Sequence, residues 1–240
     1  MSPEEPDEAG STRPPRLSRE RIVEAGLASI EAHGVDQMTM RSLGRDLGVE
    51  AMALYRYVSG REDLLEAVVE SLLDGLIERV EAAQTTSWQE YLQHVAHEIR
   101  QMALANPTAF PLVVSRHPAA PWLRPPLRDI AMVEHLLATL CERGFSDDQA
   151  VDTYKAFTSF LVGYLLLEVS TQVENVAAVD EPMNEGSADI PEQDTREDVD
   201  FGQAPHVVRM RDRLSQDHSE AEFETGLESL LNRIENTVSH

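Results

Sequence analysis

The chain has 240 residues, enough for one sizeable domain or two small ones, and its 42% hydrophobic content can fill a proper core. Aromatics are only 5%, and the apolar set is rich in Leu, Val, Ala and Ile, which favours helices packed on helices over an aromatic-rich β-sandwich. A single cysteine, Cys141, excludes an internal disulfide and a cysteine-based zinc site, and the net charge of −23 at first sight opposes nucleic acid.

The charge is uneven along the chain. From Arg16 to Arg61 seven arginines stand against six acids, whereas from Glu174 to His206 ten acids face one arginine. A near-neutral first quarter permits DNA binding without establishing it. The acidic, proline-bearing start is unlike a secretory signal. The most apolar run, residues 160–167, is far shorter than the roughly 20 residues of a membrane span. The expected address is cytoplasmic, with no membrane partner.

Residues 1–15 read as a disordered tail. A first helix starts after Ser18, with Leu17 and Ile22 placed as a hydrophobic staple, and stops at Gly34. A second is capped by Thr39 and ends at Gly48, and a short third runs from Ala51 to Val58. Ser59-Gly-Arg-Glu62 has the capping pattern that opens a fourth. From Leu64 to Val80 apolar residues recur along one face, predicting a single long linking helix. Ser87 and Glu90 cap a helix that stops at Asn106-Pro107, and the prolines of 107–126 allow only short helices. One more helix runs from about Leu127 to Arg143, where Cys141 is expected to be buried beside Leu140.

Ser146 and Gln149 cap a helix to about Gln172 that is apolar nearly all round, so it needs cover on every side. Part of that cover is expected from a second subunit. Residues 174–204 read as a mobile acidic linker, and a last helix capped by Ser219 and Glu222 buries Phe223, Leu227, Leu231 and Ile234. The fold class is all-α, with about nine or ten helices. The expected domains are 16–80, carrying a three-helix helix-turn-helix reader and the linking helix, and 81–240, a helical ligand-binding and dimerisation domain.

The functional segment is Met38 to Arg61, MTMRSLGRDLGVEAMALYRYVSGR: a helix, a tight turn at Gly48 and a second helix of the kind that enters the major groove. Ala51, Met52 and Ala53 are small or flexible and let the backbone approach base edges. Arg56 can donate two hydrogen bonds to guanine, and Tyr55 and Tyr57 can meet phosphate or thymine methyls. Thr39 and Arg41 can hold the DNA backbone, and Arg61 can clamp a phosphate beyond the groove.

This run resembles the tetracycline-repressor family of one-component regulators, through TMR, then LGV, then LY-x-x-V and a downstream LL. The closing Phe223-Glu-Thr-Gly-Leu-Glu-Ser-Leu-Leu231 is similar to the same branch, while the middle matches in helix pattern only. The resemblance implies family DNA contacts at Thr39, Arg41, Ala51, Met52, Ala53, Tyr55, Arg56, Tyr57 and Arg61. It also implies a rigid lever between reader and pocket, and release from DNA by a small molecule. Ala51, Met52, Ala53 and Arg56 replace the tetracycline repressor's polar base readers and aromatic, so a different operator is expected.

The implied partners are a palindromic double-stranded operator, a second copy of the chain through the helix at about 147–172 and the C-terminal helix, and an apolar or amphipathic effector. Trp88, His94, Met102, Phe110, His117, Trp122, Phe157 and Tyr164 are candidates for the ligand pocket. His94 and His97 lie three apart on one helix with His117 as a conceivable third ligand, but solvated or core histidines are the simpler reading, and no metal site or cofactor is assigned. The rival readings are a constitutive DNA-binding regulator without ligand and a helical protein-interaction adaptor. No glycine-rich phosphate loop or nucleophile elbow points to an enzyme.

Overall fold

The computed structural model describes residues 17–115, 117–176 and 203–238, without the side chains of 173–176. The expected tail at 1–15 and most of the acidic segment, 177–202, lie outside the described residues. Within them every regular element is helical.

The first four helices pack against one another. Helix α1 (Arg19–His33) begins where the Ser18 hydroxyl accepts the Arg21 N–H, and stops at Gly34, whose φ of 83° suits glycine. A 3₁₀ turn, Val35–Gln37, leads to α2 (Met40–Leu47). Thr39 and Ser42 cap α2 reciprocally, and left-handed Gly48 ends it. The next helix, α3 (Ala51–Leu54), is shorter than expected. Residues 55–57 continue as a turn, in which Tyr57 and Val58 still donate to the Leu54 carbonyl.

Helix α4 (Arg61–Leu72) corrects two expectations. Its cap is not a Ser59–Glu62 box: Gly60 is the N-cap residue, and the Asp63 carboxylate accepts the Ser59 N–H at 2.6 Å. Glu62 instead points to Arg128. Nor does one helix run to Val80. Gly75 takes a left-handed conformation (φ 68°), and a separate helix, α5 (Leu76–Ala82), follows. The break keeps Leu72, Leu76 and Val80 buried, so hydrophobic spacing alone does not register it.

The remaining helices are α6 (Trp88–Ala105), α7 (Phe110–Val113), α8 (Ile130–Glu142), α9 (Asp147–Val176), α10 (Pro205–Leu214) and α11 (Ser219–Val238). The reciprocal caps at Ser87–Glu90 and Ser146–Gln149 form as expected. Helix α11 starts differently: Asp217 accepts the N–H of Ser219, which is itself the first helical residue. Helices α6, α7, α8 and α11 all pack on α9, whose buried face carries Tyr154, Phe157, Leu161, Leu165 and Val169. Helix α9 also has an exposed side bearing Ala156, Gly163 and Leu167, so this chain does not cover it all round. A two-pronged Arg100–Glu168 pair (3.0 and 2.6 Å) joins α6 to α9, and the same guanidinium lies 5.1 Å over the Phe223 ring of α11. Cys141 is exposed, because it follows buried Leu140 onto the outer side of α8. No described helix is long and apolar enough to cross a membrane.

Candidate nucleic-acid interface and ligand cavity

The reader is held together by a few specific contacts. Gly44 on α2 meets the turn so closely that a Cβ there would lie 2.9 Å from the Val49 carbonyl oxygen and 3.1 Å from the Ala51 nitrogen. The Val49 N–H closes the same turn onto the Gly44 carbonyl at 2.9 Å. This seats α3 against α2, with Leu54 buried beneath it. Arg19 then fixes the turn after α3, donating to the Tyr57 carbonyl at 3.1 Å and to Asp63 at 3.0 Å.

These contacts leave an exposed edge. Met52 is 75% exposed, Tyr55 46% and Tyr57 39%, with Arg56 beside them and Ala51 and Ala53 partly covered. Thr39 and Arg41 are exposed at the start of α2. The side chains of Arg41 and Arg56 make no hydrogen bond or ion pair among the described residues, which suits groups that await phosphate or base edges. Arg61 is placed otherwise. Its guanidinium turns inward and donates to the carbonyls of Val35 (2.7 Å) and Met38 (3.1 Å), bracing the turn between α1 and α2.

The Arg19 guanidinium, followed by the Ser59 N–H, holds the Asp63 carboxyl below its ordinary range. A depressed folded-state pKa stabilises the fold above the unfolded pKa, and that share is lost as pH falls through the carboxylate range. Acidification below about pH 4 should therefore lower the unfolding midpoint less in Asp63→Asn than in the unaltered chain, as followed by circular dichroism across a pH series.

A second feature lies in the core. Phe110, Val113, Leu127, Met132, Leu136, Phe157 and Leu161, with Ile99 and Leu73, enclose an apolar cavity of about 40 Å³ between α6, α7, α8 and α9. Its polar groups are Asp129, Thr158 and Tyr154. The Tyr154 hydroxyl donates to the Pro125 carbonyl at 2.8 Å, and burial pushes its pKa up to about 12.

Of the expected pocket residues only Phe110 and Phe157 line this cavity. Trp88 packs edge-on to Phe145, and Tyr164 lies against Phe223 with its hydroxyl on the Ser219 carbonyl. Met102 is buried apart from it, and Trp122 is 75% exposed. His94 faces Glu98, His97 bonds the Gln93 carbonyl and Glu224, and His117 accepts the Ala119 N–H. No cluster of three or more His, Cys, Asp or Glu side chains able to hold a metal occurs among the described residues.

Two polar junctions join reader to cavity wall, and the sequence reading missed both. Glu31 of α1 accepts the N–H groups of Ala109 (2.8 Å) and Thr108 (3.3 Å), just before α7. Glu62 of α4 pairs with Arg128, whose guanidinium is only 6% exposed and also reaches Ser115. The Arg128 Nε is buried with no partner among the described residues. Arg128 lies between the cavity-lining residues Leu127 and Asp129, and its own N–H bonds the Val113 carbonyl at 2.9 Å.

Residues 22–68 match the family profile described as "Bacterial regulatory proteins, tetR family", and residues 82–238 that described as "Tetracyclin repressor-like, C-terminal domain". The chain belongs to the tetracycline-repressor family. Among its relatives in this family, the tetracycline repressor protein class D of Escherichia coli is 26% identical over 220 residues, 92% of this chain and 90% of that one. A possible TetR family transcriptional regulator from Streptomyces coelicolor A3(2) is 28% identical, with a TM-score of 0.69 over 92% of this chain and 100% of that one. A TetR variant from Acinetobacter baumannii AYE, solved in complex with minocycline, shares the fold at 21% identity, with a TM-score of 0.66 over 94% of this chain and 96% of that one. As a member of the tetracycline-repressor family the protein is a DNA-binding transcriptional regulator and not an enzyme.

Proposed function

We propose that this regulator is a repressor that binds a palindromic operator as a homodimer and is released by a small apolar or amphipathic ligand. The observation that carries the reading is the exposed edge made by Met52, Tyr55, Arg56 and Tyr57, flanked by Thr39 and Arg41. Met52, with Ala51 and Ala53, meets the groove; Arg56 reads a base; Tyr55, Tyr57, Thr39 and Arg41 hold phosphates. Arg61 contributes by bracing the turn rather than by a phosphate contact of its own, which its two bonds to internal carbonyls support. The exposed side of α9, with Leu167 72% exposed beside the small residues Ala156 and Gly163, supports pairing of two chains through α9 and α11.

The apolar cavity supports the ligand. At about 40 Å³ it is too small for a drug-sized molecule, whose pockets run to roughly 300–1,000 Å³. A ligand must therefore spread its walls, and the walls carry the Arg128 junction to the reader. The fold shared with the minocycline-bound neighbour supports this use of the helical core.

Selection of bound duplexes from a random library tests the reading. The selected site should be two-fold symmetric, with half-sites about 34–36 Å apart. Arg56→Ala should cost about 1–3 kcal/mol on that site and relax preference at one base pair per half-site. Equal losses on selected and random duplexes would put Arg56 on the backbone. An asymmetric site, or a monomer at micromolar concentration, would overturn the homodimer. A compound screen against the selected duplex then separates an inducible repressor from a constitutive binder.

A further inference from the structure

We propose that this chain reads thymine through its 5-methyl group, with Met52 as the specificity-determining contact. The inference rests on the DNA-binding edge proposed above and names what the centre of that edge recognises.

Helix α3 consists of Ala51, Met52, Ala53 and Leu54. None of these side chains carries a hydrogen-bond donor or an oxygen or nitrogen acceptor. Leu54 is fully buried, and Ala51 and Ala53 end at Cβ, so Met52, 75% exposed, is the side chain that projects. Side chains with hydrogen-bonding groups begin one step further on, at Tyr55, Arg56 and Tyr57. A base edge under Met52 is therefore met by a thioether and by methyl groups.

The major groove presents hydrogen-bonding groups from all four bases and one apolar group, the thymine C5-methyl. Adenine, guanine and cytosine edges set against Met52 would lose water without gaining a partner, a penalty that selects against them. Thymine alone offers a methyl for the polarisable, three-torsion side chain to cover. The exposure of so large an apolar side chain on the unbound surface is accounted for when it packs into the groove with its tip against that methyl group.

The test uses the full chain and the duplex that it selects. Each thymine is replaced in turn by deoxyuridine, which removes the methyl and leaves every hydrogen-bonding group in place. At one thymine per half-site affinity should fall roughly four-fold, the effect of unburying one methyl group, and roughly fifteen-fold when both symmetric positions are changed. Met52→Ala, at an exposed position that leaves the core untouched, should bind thymine and deoxyuridine duplexes equally there. Deoxyuridine tolerated at every thymine, or a deoxyuridine penalty that persists in Met52→Ala, overturns the proposal while the DNA-binding reading stands. If no duplex is selected at all, both readings fall.

Discussion

Gly44→Ala should abolish operator binding and lower the unfolding midpoint by up to about 12 °C. The new methyl group would sit against backbone atoms of Val49 and Ala51, none of which can rotate away as a side-chain tip would. Either α2 separates from the turn or the Val49–Gly44 hydrogen bond is lost. Overpacking of this kind costs about 1–3 kcal/mol, and in a chain of this length each kcal/mol shifts the midpoint by about 2–4 °C. Alanine's better helix propensity returns part of that, under 1 kcal/mol. Gly48→Ala is the control: φ is 69° but nothing lies within 4 Å, so only the left-handed penalty of about 1–2 kcal/mol applies and α3 keeps its seat. Calorimetry and duplex binding on both variants decide the matter. If Gly44→Ala binds the operator as the unaltered chain does, the close approach is not what positions α3.

Glu62→Ala should destabilise the protein by about 2 kcal/mol, whereas Arg128→Met should stay within about 1 kcal/mol of the unaltered chain. The asymmetry follows from burial. Arg128 is 6% exposed and the Glu62 side chain 56%, so removing the carboxylate leaves an enclosed cation with one hydroxyl partner, Ser115. Removing the guanidinium leaves a carboxylate that water can reach, and methionine fills much of the space. Equal losses in the two variants would mean that the pair itself, rather than the stranded charge, sets the cost. In both variants a compound that releases the operator should do so less effectively, because movement of the cavity wall no longer reaches α4 through this pair.

The sequence was legible where a local pattern has a local cause. Ser18, Thr39, Ser87 and Ser146 cap helices because a hydroxyl three residues from an N–H has one efficient use. Ser59 and Ser219 carry the same pattern and fail, because Asp63 and Asp217 reach the open N–H groups first. The α4–α5 break was invisible to periodicity, since Leu72, Leu76 and Val80 remain buried across it. Among pocket candidates, aromatic character signals burial and not which cavity is entered, so Phe110 and Phe157 line the core cavity beside Ile99, Val113 and Met132, while Trp88 and Tyr164 pack elsewhere. Arg61 shows the limit for charge: an arginine at the mouth of a reader looks alike in sequence whether it meets phosphate or two internal carbonyls. The Glu31 and Glu62 junctions span 77 and 66 residues of chain, and no spacing rule reaches that far.

The left-handed Gly75 turns what would be a straight rod into a two-segment crank. A rod hands on a push undiminished and in the same direction. A crank converts a change of angle into a sweep: α4 is about 18 Å long, so each degree of bend at Gly75 swings its far end by about 0.3 Å. The Glu62–Arg128 pair pins that far end to the cavity wall, which fixes the angle while the pin holds. In the homodimer proposed above the two sweeps would add, so the distance between readers would change by up to twice what either arm travels.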